Sequence, residues 1–281
     1  MLSQSLLSTI SKKLSPLFKN DFVVHSATTV SGGCINMCYK LKTNYGYFFL
    51  KYNPASDVNM FAAEAKGLEL IRRTNTILVP EVIFIENDFL LLEYVDPSFS
   101  SSWINFGKSL ANLHKNTNSF FGLDHDNFIG NLDQSNSLMD SWSDFYIKNR
   151  LLPQMNRKGF SSVFLKKFDL LFAKIPSLFP KCSASLIHGD LWSGNFLMGK
   201  DFVYLIDPAV YYGNREMDIS MSKLFGGFDD SFYDSYNDYY PLENGWRERV
   251  DLCNLYPLMV HVNLFGGSYY NQVVSILNKY I

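Results

Sequence analysis

Tyr47-Phe-Phe-Leu-Lys-Tyr52 is a strand-like run, apolar on both sides, with a single cation set inside it. A buried ammonium is costly without an anion, so whatever fold this chain adopts must bring a carboxylate to Lys51. The next helical pattern, Met60 to Arg73, supplies a candidate. Phe61, Glu64, Leu68 and Ile71 share one face at helical spacing, which puts Glu64 on the apolar side while Glu69 points elsewhere. A carboxylate on that side needs a partner or it shifts its pKa and destabilises the fold. Lys51 is the obvious one. The alternative is that each side chain snorkels separately to solvent.

Around this pair the signals from about Asp21 to Tyr94 are mostly those of strands: Phe22–Thr29, Met37–Leu41, Tyr47–Tyr52, Val82–Ile85 and Phe89–Tyr94. A Gly32-Gly33 pair precedes the Lys51 strand and supplies a loop whose backbone can approach a ligand closely, at the right distance to fold over phosphates. Such a pair on its own is more often only a hairpin turn. After Val95 the stretch Asp-Pro-Ser-Phe-Ser-Ser-Ser suits a linker. Beyond it helical patterns dominate: Trp103–His114, Ser141–Gln154, Val163–Ile175, Glu243–Leu255 and Leu258–Lys279. The coarse reading is a small strand-rich lobe, residues 1–95, joined to a larger helical lobe, residues 96–281.

The 281 residues are 47% hydrophobic and 19% charged, enough for a packed core. A net charge of -2 offers no broad basic surface and argues against nucleic acid as a partner. Cys34, Cys38, Cys182 and Cys253 are few and irregularly spaced, which fits a reducing compartment. Cys34 and Cys38 have the spacing of half a zinc site, but no second Cys/His pair lies nearby. Leu2, Leu6, Leu7, Ile10 and Leu14 mark an amphipathic helix, with neither the basic flank nor the unbroken apolar run of a signal peptide. The longest uncharged run, Phe22 to Tyr39, is too polar for a membrane span. The expectation is a cytoplasmic protein without a membrane partner.

The richest chemistry lies in Leu186-Ile-His-Gly-Asp-Leu-Trp-Ser-Gly-Asn195, where aliphatic residues lead into a loop bearing His188, Asp190 and Asn195. The following Phe196–Met198 and Phe202–Ile206 read as a hairpin turning at Gly199-Lys200-Asp201, which returns the chain to place Asp207 beside Asn195. Asn195 and Asp207 then form an oxygen-donor pair suited to Mg²⁺, a hard ion that keeps waters and shares phosphate ligands. Asp190 is placed to accept a proton from a hydroxyl. A single loop Asp often bonds only its own backbone. Convergence of three such groups points instead to a reactive centre.

Lys51, Glu64, "HGDLWSGN" and "IDPA" resemble the protein-kinase-like fold, in the branch of small-molecule kinases that includes aminoglycoside and choline phosphotransferases. "FGLDHDNFIGNL", "WSDFYIKNRLLPQ", "DPAVYYGNREMDISM", "LFGGF" and "NLFGGSYY" extend the likeness, in order from about Phe22 to Tyr270, to the fructosamine kinase (ketosamine-3-kinase) family. That resemblance implies an α+β two-lobe fold, with an antiparallel-sheet lobe carrying one helix, a mainly helical second lobe, and an ATP cleft between. It implies ATP-dependent phosphorylation of a sugar hydroxyl of small-molecule ketosamines or glycated protein lysines, and through it a part in deglycation.

The catalytic set would be Asp190, Lys51 and Glu64, with Asn195 and Asp207 on Mg²⁺. Nucleotide would meet Gly32, Gly33 and Lys51, with the Glu93 carbonyl and Val95 N–H pairing with adenine. Gly32-Gly33-Cys34 departs from the glycine-rich loop of protein kinases, so that loop's mechanics do not carry over. On the acceptor side, Trp192 is a candidate sugar platform. Asp229 and Asp230, in a tract of carboxylates and aromatics, are candidates for a substituted ammonium, although such a tract is more often a solvated helix face or surface loop. The competing readings are an aminoglycoside- or choline-type kinase and a nucleotide-binding pseudokinase; intact Lys51, Glu64, Asp190, Asn195 and Asp207 argue against the last.

Overall fold

The computed structural model describes residues 2–30, 36–55, 57, 59–97, 102–157, 160–199 and 202–281. Gly32, Gly33 and Cys34, most of the linker after Val95, and the Lys200-Asp201 turn lie outside the described residues. The chain opens with α1 (Gln4–Leu14), whose N-cap Ser3 accepts a hydrogen bond from the Leu6 N–H. There follow β1 (Val24–Val30), β2 (Met37–Thr43), β3 (Gly46–Tyr52), α2 (Met60–Arg73), β4 (Val82–Ile85) and β5 (Phe89–Glu93). The strands form one antiparallel sheet in the order β1-β2-β3-β5-β4.

Alternation along the strands gives this sheet two different faces. Phe48 and Leu50 of β3, with Phe89 and Leu91 of β5, pack with Ile10 and Leu14 of α1 in a small outer core. Leu90 and Leu92 turn the other way and join α2 (Phe61, Leu68, Ile71) in the main core, which continues into the C-terminal part. Phe49 packs against that core, and Lys51 lies on the same side of β3.

The C-terminal part comprises α3 (Trp103–His114), β6 (Thr117–Asn118), β7 (Asn127–Ile129), β8 (Leu132–Gln134), α4 (Trp142–Phe145), a π-helical turn at Tyr146–Leu151, α5 (Leu152–Met155) and α6 (Ser162–Leu178). Then come β9 (Ala184–Ile187), β10 (Phe196–Met198), β11 (Val203–Leu205), β12 (Tyr211–Gly213), α7 (Glu216–Leu224), α8 (Asp230–Tyr239), α9 (Trp246–Phe265) and α10 (Tyr269–Tyr280). β9 is the strand that delivers the "HGD" loop, and β10–β11 is the expected hairpin, pairing Phe196 with Leu205.

Two helical expectations need correction. The final helices divide at Gly266-Gly267, with φ of 68° and 67°, and not at Pro257. Proline inside a helix removes the hydrogen bond to the carbonyl four residues back. Here the Tyr146 hydroxyl donates to the Leu252 carbonyl at 2.6 Å and to the Cys253 carbonyl at 3.3 Å, so the helix continues through Pro257. The pattern Ser141–Gln154 is likewise not one α-helix but two short ones flanking the π-turn. Among the described residues no helix is long and apolar enough to cross a membrane.

Candidate active site

Lys51 stands almost fully buried on β3, and its ammonium lies 2.6 Å from Glu64 on α2. The same ammonium pairs with Asp207 at the end of the β10–β11 hairpin. Burial alone would lower the Lys51 pKa, but the adjoining Asp207 and Glu64 carboxylates outweigh it and hold the amine above its ordinary value. Lys51 is therefore a fixed cation. Glu69, on the other side of α2, pairs instead with Arg73 at 2.8 Å on the surface.

The loop after β9 is built by backbone constraints. Gly189 has φ +84°, and a Cβ there would collide with the Ala209 carbonyl oxygen. Only glycine suits this position. His188 is buried; its Nε2–H donates to the Ile206 carbonyl at 2.9 Å, while Nδ1 accepts the Asp190 N–H at 3.3 Å. Burial holds this imidazole below its ordinary pKa, as suits a neutral brace between loop and hairpin. Asn195 Nδ2 donates to both the main-chain carbonyl and the carboxylate of Asp190, each at 2.9 Å. The Ile206 N–H donates to the Asn195 carbonyl at 3.0 Å, which places Asp207 next to the Asn195 loop as the hairpin implied.

Asp190 is raised from an ordinary carboxylate value to about 7. Burial is the largest cause, followed by the charge of Asp207; the Asn195 hydrogen bond opposes both. A base tuned to near neutral pH is suited to exchange a proton with a hydroxyl.

Two chambers open from this centre and share Cys38, Lys51, Asn195 and Asp207. One, of about 180 Å³, is walled by Phe49, Leu92, Glu93, Tyr94, Val95 and Leu197. The other, of about 150 Å³, holds Asp190, Trp192, Asn127 and Phe128. The Trp192 ring lies over Gly194, where a Cβ would collide with it, and makes an edge contact with Phe225 at 6.1 Å. Asp229 and Asp230 line neither chamber. Asp229 caps α8, accepting from the Ser231 N–H at 3.0 Å, and both residues are exposed. The tract around them is an amphipathic helix, with Phe232 and Tyr236 buried against α3.

Sequence reasoning missed Asp218. This α7 carboxylate is 1% exposed and accepts from the N–H of His188 at 2.7 Å, the N–H of Gly189 at 2.9 Å, and His114 Nε2 at 3.1 Å. Burial alone would raise its pKa, but these partners hold it below the usual carboxylate range. Asp218 thus fastens the Asp190 loop to the helical core. The signal was available, since Met217-Asp-Ile-Ser-Met221 sets a carboxylate in an apolar run much as Glu64 is set.

The fructosamine kinase family model matches residues 6–281. The chain belongs to the fructosamine kinase family. A probable ketoamine kinase of Enterococcus faecium is 38% identical over 262 residues, covering 89% of this chain and 94% of that protein. A chloroplastic protein-ribulosamine 3-kinase of Arabidopsis thaliana is 36% identical over 268 residues, covering 90% and 82%. The crystal structure of a Thermobifida fusca protein named for fructosamine-3-kinase superposes with a TM-score of 0.88 at 30% identity, covering 99% and 98%. The wider likeness to aminoglycoside and choline phosphotransferase structures, below 20% identity, shows the α+β protein-kinase-like fold alone. Membership in the family makes this chain a phosphotransferase, and the family implies ATP as donor.

Proposed function

We infer that this enzyme phosphorylates a sugar hydroxyl of ketosamines, with residues 1–95 holding ATP and residues 96–281 holding the acceptor. The observation that carries the reading is the meeting of the two chambers at Lys51 and Asp207, with Asp190 reaching only the second. A nucleotide in the first chamber would direct its phosphates toward that junction.

Phosphoryl transfer asks a protein mainly for positioning and charge stabilisation. Lys51 has three N–H donors; Glu64 and Asp207 engage two, leaving one for a phosphate oxygen. The Glu93 carbonyl and Val95 N–H would receive adenine at the chamber wall, and Gly32 and Gly33 would cover the phosphates. Asp190 would orient the acceptor hydroxyl and take its proton as the oxygen attacks the terminal phosphorus and the bond from that phosphorus to the departing ADP breaks. Asn195, by donating to the Asp190 carboxylate, fixes the direction in which that base points.

The donor set also fits Mg²⁺. Asn195 commits its nitrogen to Asp190, so its amide oxygen can face a cation together with the Asp207 carboxylate, both hard oxygen ligands. When bound, the ion would neutralise phosphate charge. Trp192 and Phe128 give the acceptor chamber flat apolar walls beside Asp190, suited to a sugar face. The ribulosamine kinase relative supports a ketosamine acceptor. Phosphorylation at the third carbon makes ketosamine adducts unstable, so the reaction would serve deglycation.

Comparing kcat/KM for a ribulosamine, a fructosamine, kanamycin and choline under one set of conditions tests the reading. The ketosamines should win by a wide margin. A preference for kanamycin or choline would overturn the substrate assignment and leave the kinase machinery standing.

A further inference from the structure

A set of buried polar side chains, of which Asn127 also borders the acceptor chamber, gathers beneath the segment after Asp207. The β7–β8 hairpin carries Asn127 and Gln134, both buried. Gln134 Nε2 donates to the Ala209 carbonyl at 3.1 Å and to Asn127 Oδ1 at 2.7 Å. Asn127 Nδ2 donates to the Val210 carbonyl at 2.8 Å, and its Oδ1 also accepts from Asn136 at 2.9 Å. From α9, the Tyr256 hydroxyl donates to Gln134 Oε1 at 2.6 Å. Both amide side chains are engaged at nitrogen and oxygen alike, so Asn127 borders the acceptor chamber with its polar atoms already committed. A fully satisfied buried network specifies one arrangement of the backbone it grips.

Behind the amides stands a cation that pairs with no carboxylate among the described residues. Arg150 is fully buried on the π-helical turn; it donates to Asn136 Oδ1 at 2.7 Å and to the Ser135 carbonyl at 2.6 Å. Its guanidinium lies 3.8 Å from the centroid of the Tyr211 ring, the first residue of β12. Burying a charge is unfavourable unless it is paired and hydrogen-bonded. Here the Ser135 and Asn149 carbonyls, the Asn136 amide oxygen and ring faces take the place of a counter-ion; Ser135 and Asn136 directly follow β8, and Tyr211 belongs to the strand that follows Asp207.

The gripped segment is strained. Asp207 has φ +54°, a left-handed conformation unfavourable for a residue with a side chain, which persists where the surroundings over-determine it. The two carbonyls held by the amides follow it two and three residues later, and the Ala209 N–H donates to the His188 carbonyl at 2.9 Å. From the opposite side α2 closes on the segment at Gly67, where a Cβ would stand only 3.2 Å from Val210 and 3.4 Å from Pro208.

We propose that Gln134 and Asn127, backed by Tyr256 and Arg150, are positioning residues that clamp the backbone after Asp207 and so hold its carboxylate at the junction of the chambers. This rests on the reading of Asp207 as a phosphate-side group. It gives a purpose to the "DNFIGNLDQSN" stretch, whose amides touch neither nucleotide nor acceptor in the reading above.

Gln134→Glu tests the clamp, because it keeps the acceptor for Tyr256 and turns an oxygen toward the Ala209 carbonyl and Asn127 Oδ1. In the full-length protein, amide hydrogen exchange at Ala209 and Tyr211–Gly213 should accelerate about tenfold or more, with exchange in α6 and α10 unchanged. Turnover of a ribulosamine should fall about 10- to 100-fold, a loss typical of small misplacement at a reacting centre. KM for ATP should stay within about threefold. Tyr256→Phe, which removes only the supporting hydroxyl, should shift exchange and turnover in the same direction by smaller factors, and it carries the test if the first variant does not fold. Unchanged local exchange, or exchange that rises evenly over the whole chain, would overturn the proposal. So would full turnover in folded Gln134→Glu. Because exchange is read without substrate, it separates failure of the clamp from failure of the ketosamine assignment.

Discussion

Asn195 grips Asp190 twice, donating from one amide nitrogen to the main-chain carbonyl and to the carboxylate, each at 2.9 Å. The two side chains are therefore one unit, and a change at either is felt by both. Asp190→Asn should lower kcat about 10²–10⁴-fold, the usual range for a general base. ATP affinity, measured calorimetrically, should remain near wild type, since Asp190 faces the acceptor chamber. Turnover within a few-fold of wild type would remove Asp190 from the mechanism.

The same substitution should stabilise the protein. Asp190 rises to about 7 in the folded chain, chiefly through burial, against 3.8 for an ordinary Asp. The folded state therefore binds more protons than the unfolded state between these values. The favourable contribution of the protonated group is complete below about pH 3.8 and is lost as pH rises through about 7. Asn carries no such penalty. In nucleotide-free protein the Tm of Asp190→Asn should exceed wild type at pH 8, and the gap should close as pH falls toward 4. A gap that is constant with pH would contradict the raised pKa.

Lys51→Met should impair catalysis, and Glu64→Gln in that background should add little. The two are in contact at 2.6 Å, and residues sharing one interaction lose energy non-additively. A double-mutant cycle on kcat/KM measures this. Fully additive losses would show that Glu64 works independently of Lys51.

Asp207→Asn should reduce the Mg²⁺-dependent part of nucleotide affinity while affecting metal-free binding less. Titrating ATP with and without Mg²⁺ separates the two contributions. An unaltered metal dependence would place the ligand elsewhere.

Asp218→Ala should be the most destabilising of these changes. It orphans the N–H groups of His188 and Gly189 together with buried His114, and each unsatisfied buried group costs about 1–3 kcal/mol. Equilibrium denaturation by urea gives the loss directly. A change below about 1 kcal/mol would mean the loop finds other partners.

Much of this was legible from periodicity and the cost of burying charge. Lys51 and Glu64 were each set among apolar neighbours, and a physical requirement for pairing linked positions thirteen residues apart. The same requirement, applied to Asp218, would have linked α7 to the loop. The amide clamp was not legible in that way. Gln134 and Asn127 carry no charge, and their partners are backbone carbonyls 75 and 83 residues later, which no side-chain pattern reveals. The division of the last helices was misplaced because a proline normally ends a helix, while the hydroxyl that satisfies the freed carbonyl comes from Tyr146, more than a hundred residues away. Asp229 and Asp230 drew attention by composition, yet one of them is spent on starting a helix.

Only Pro208, Ala209 and Val210 lie between Asp207 and β12, and both amide-held carbonyls are among them. Three residues leave the main chain little slack between that carboxylate and a strand fixed in a sheet. A disturbance of β12, which pairs with β9, should therefore be felt at the Asp207 carboxylate.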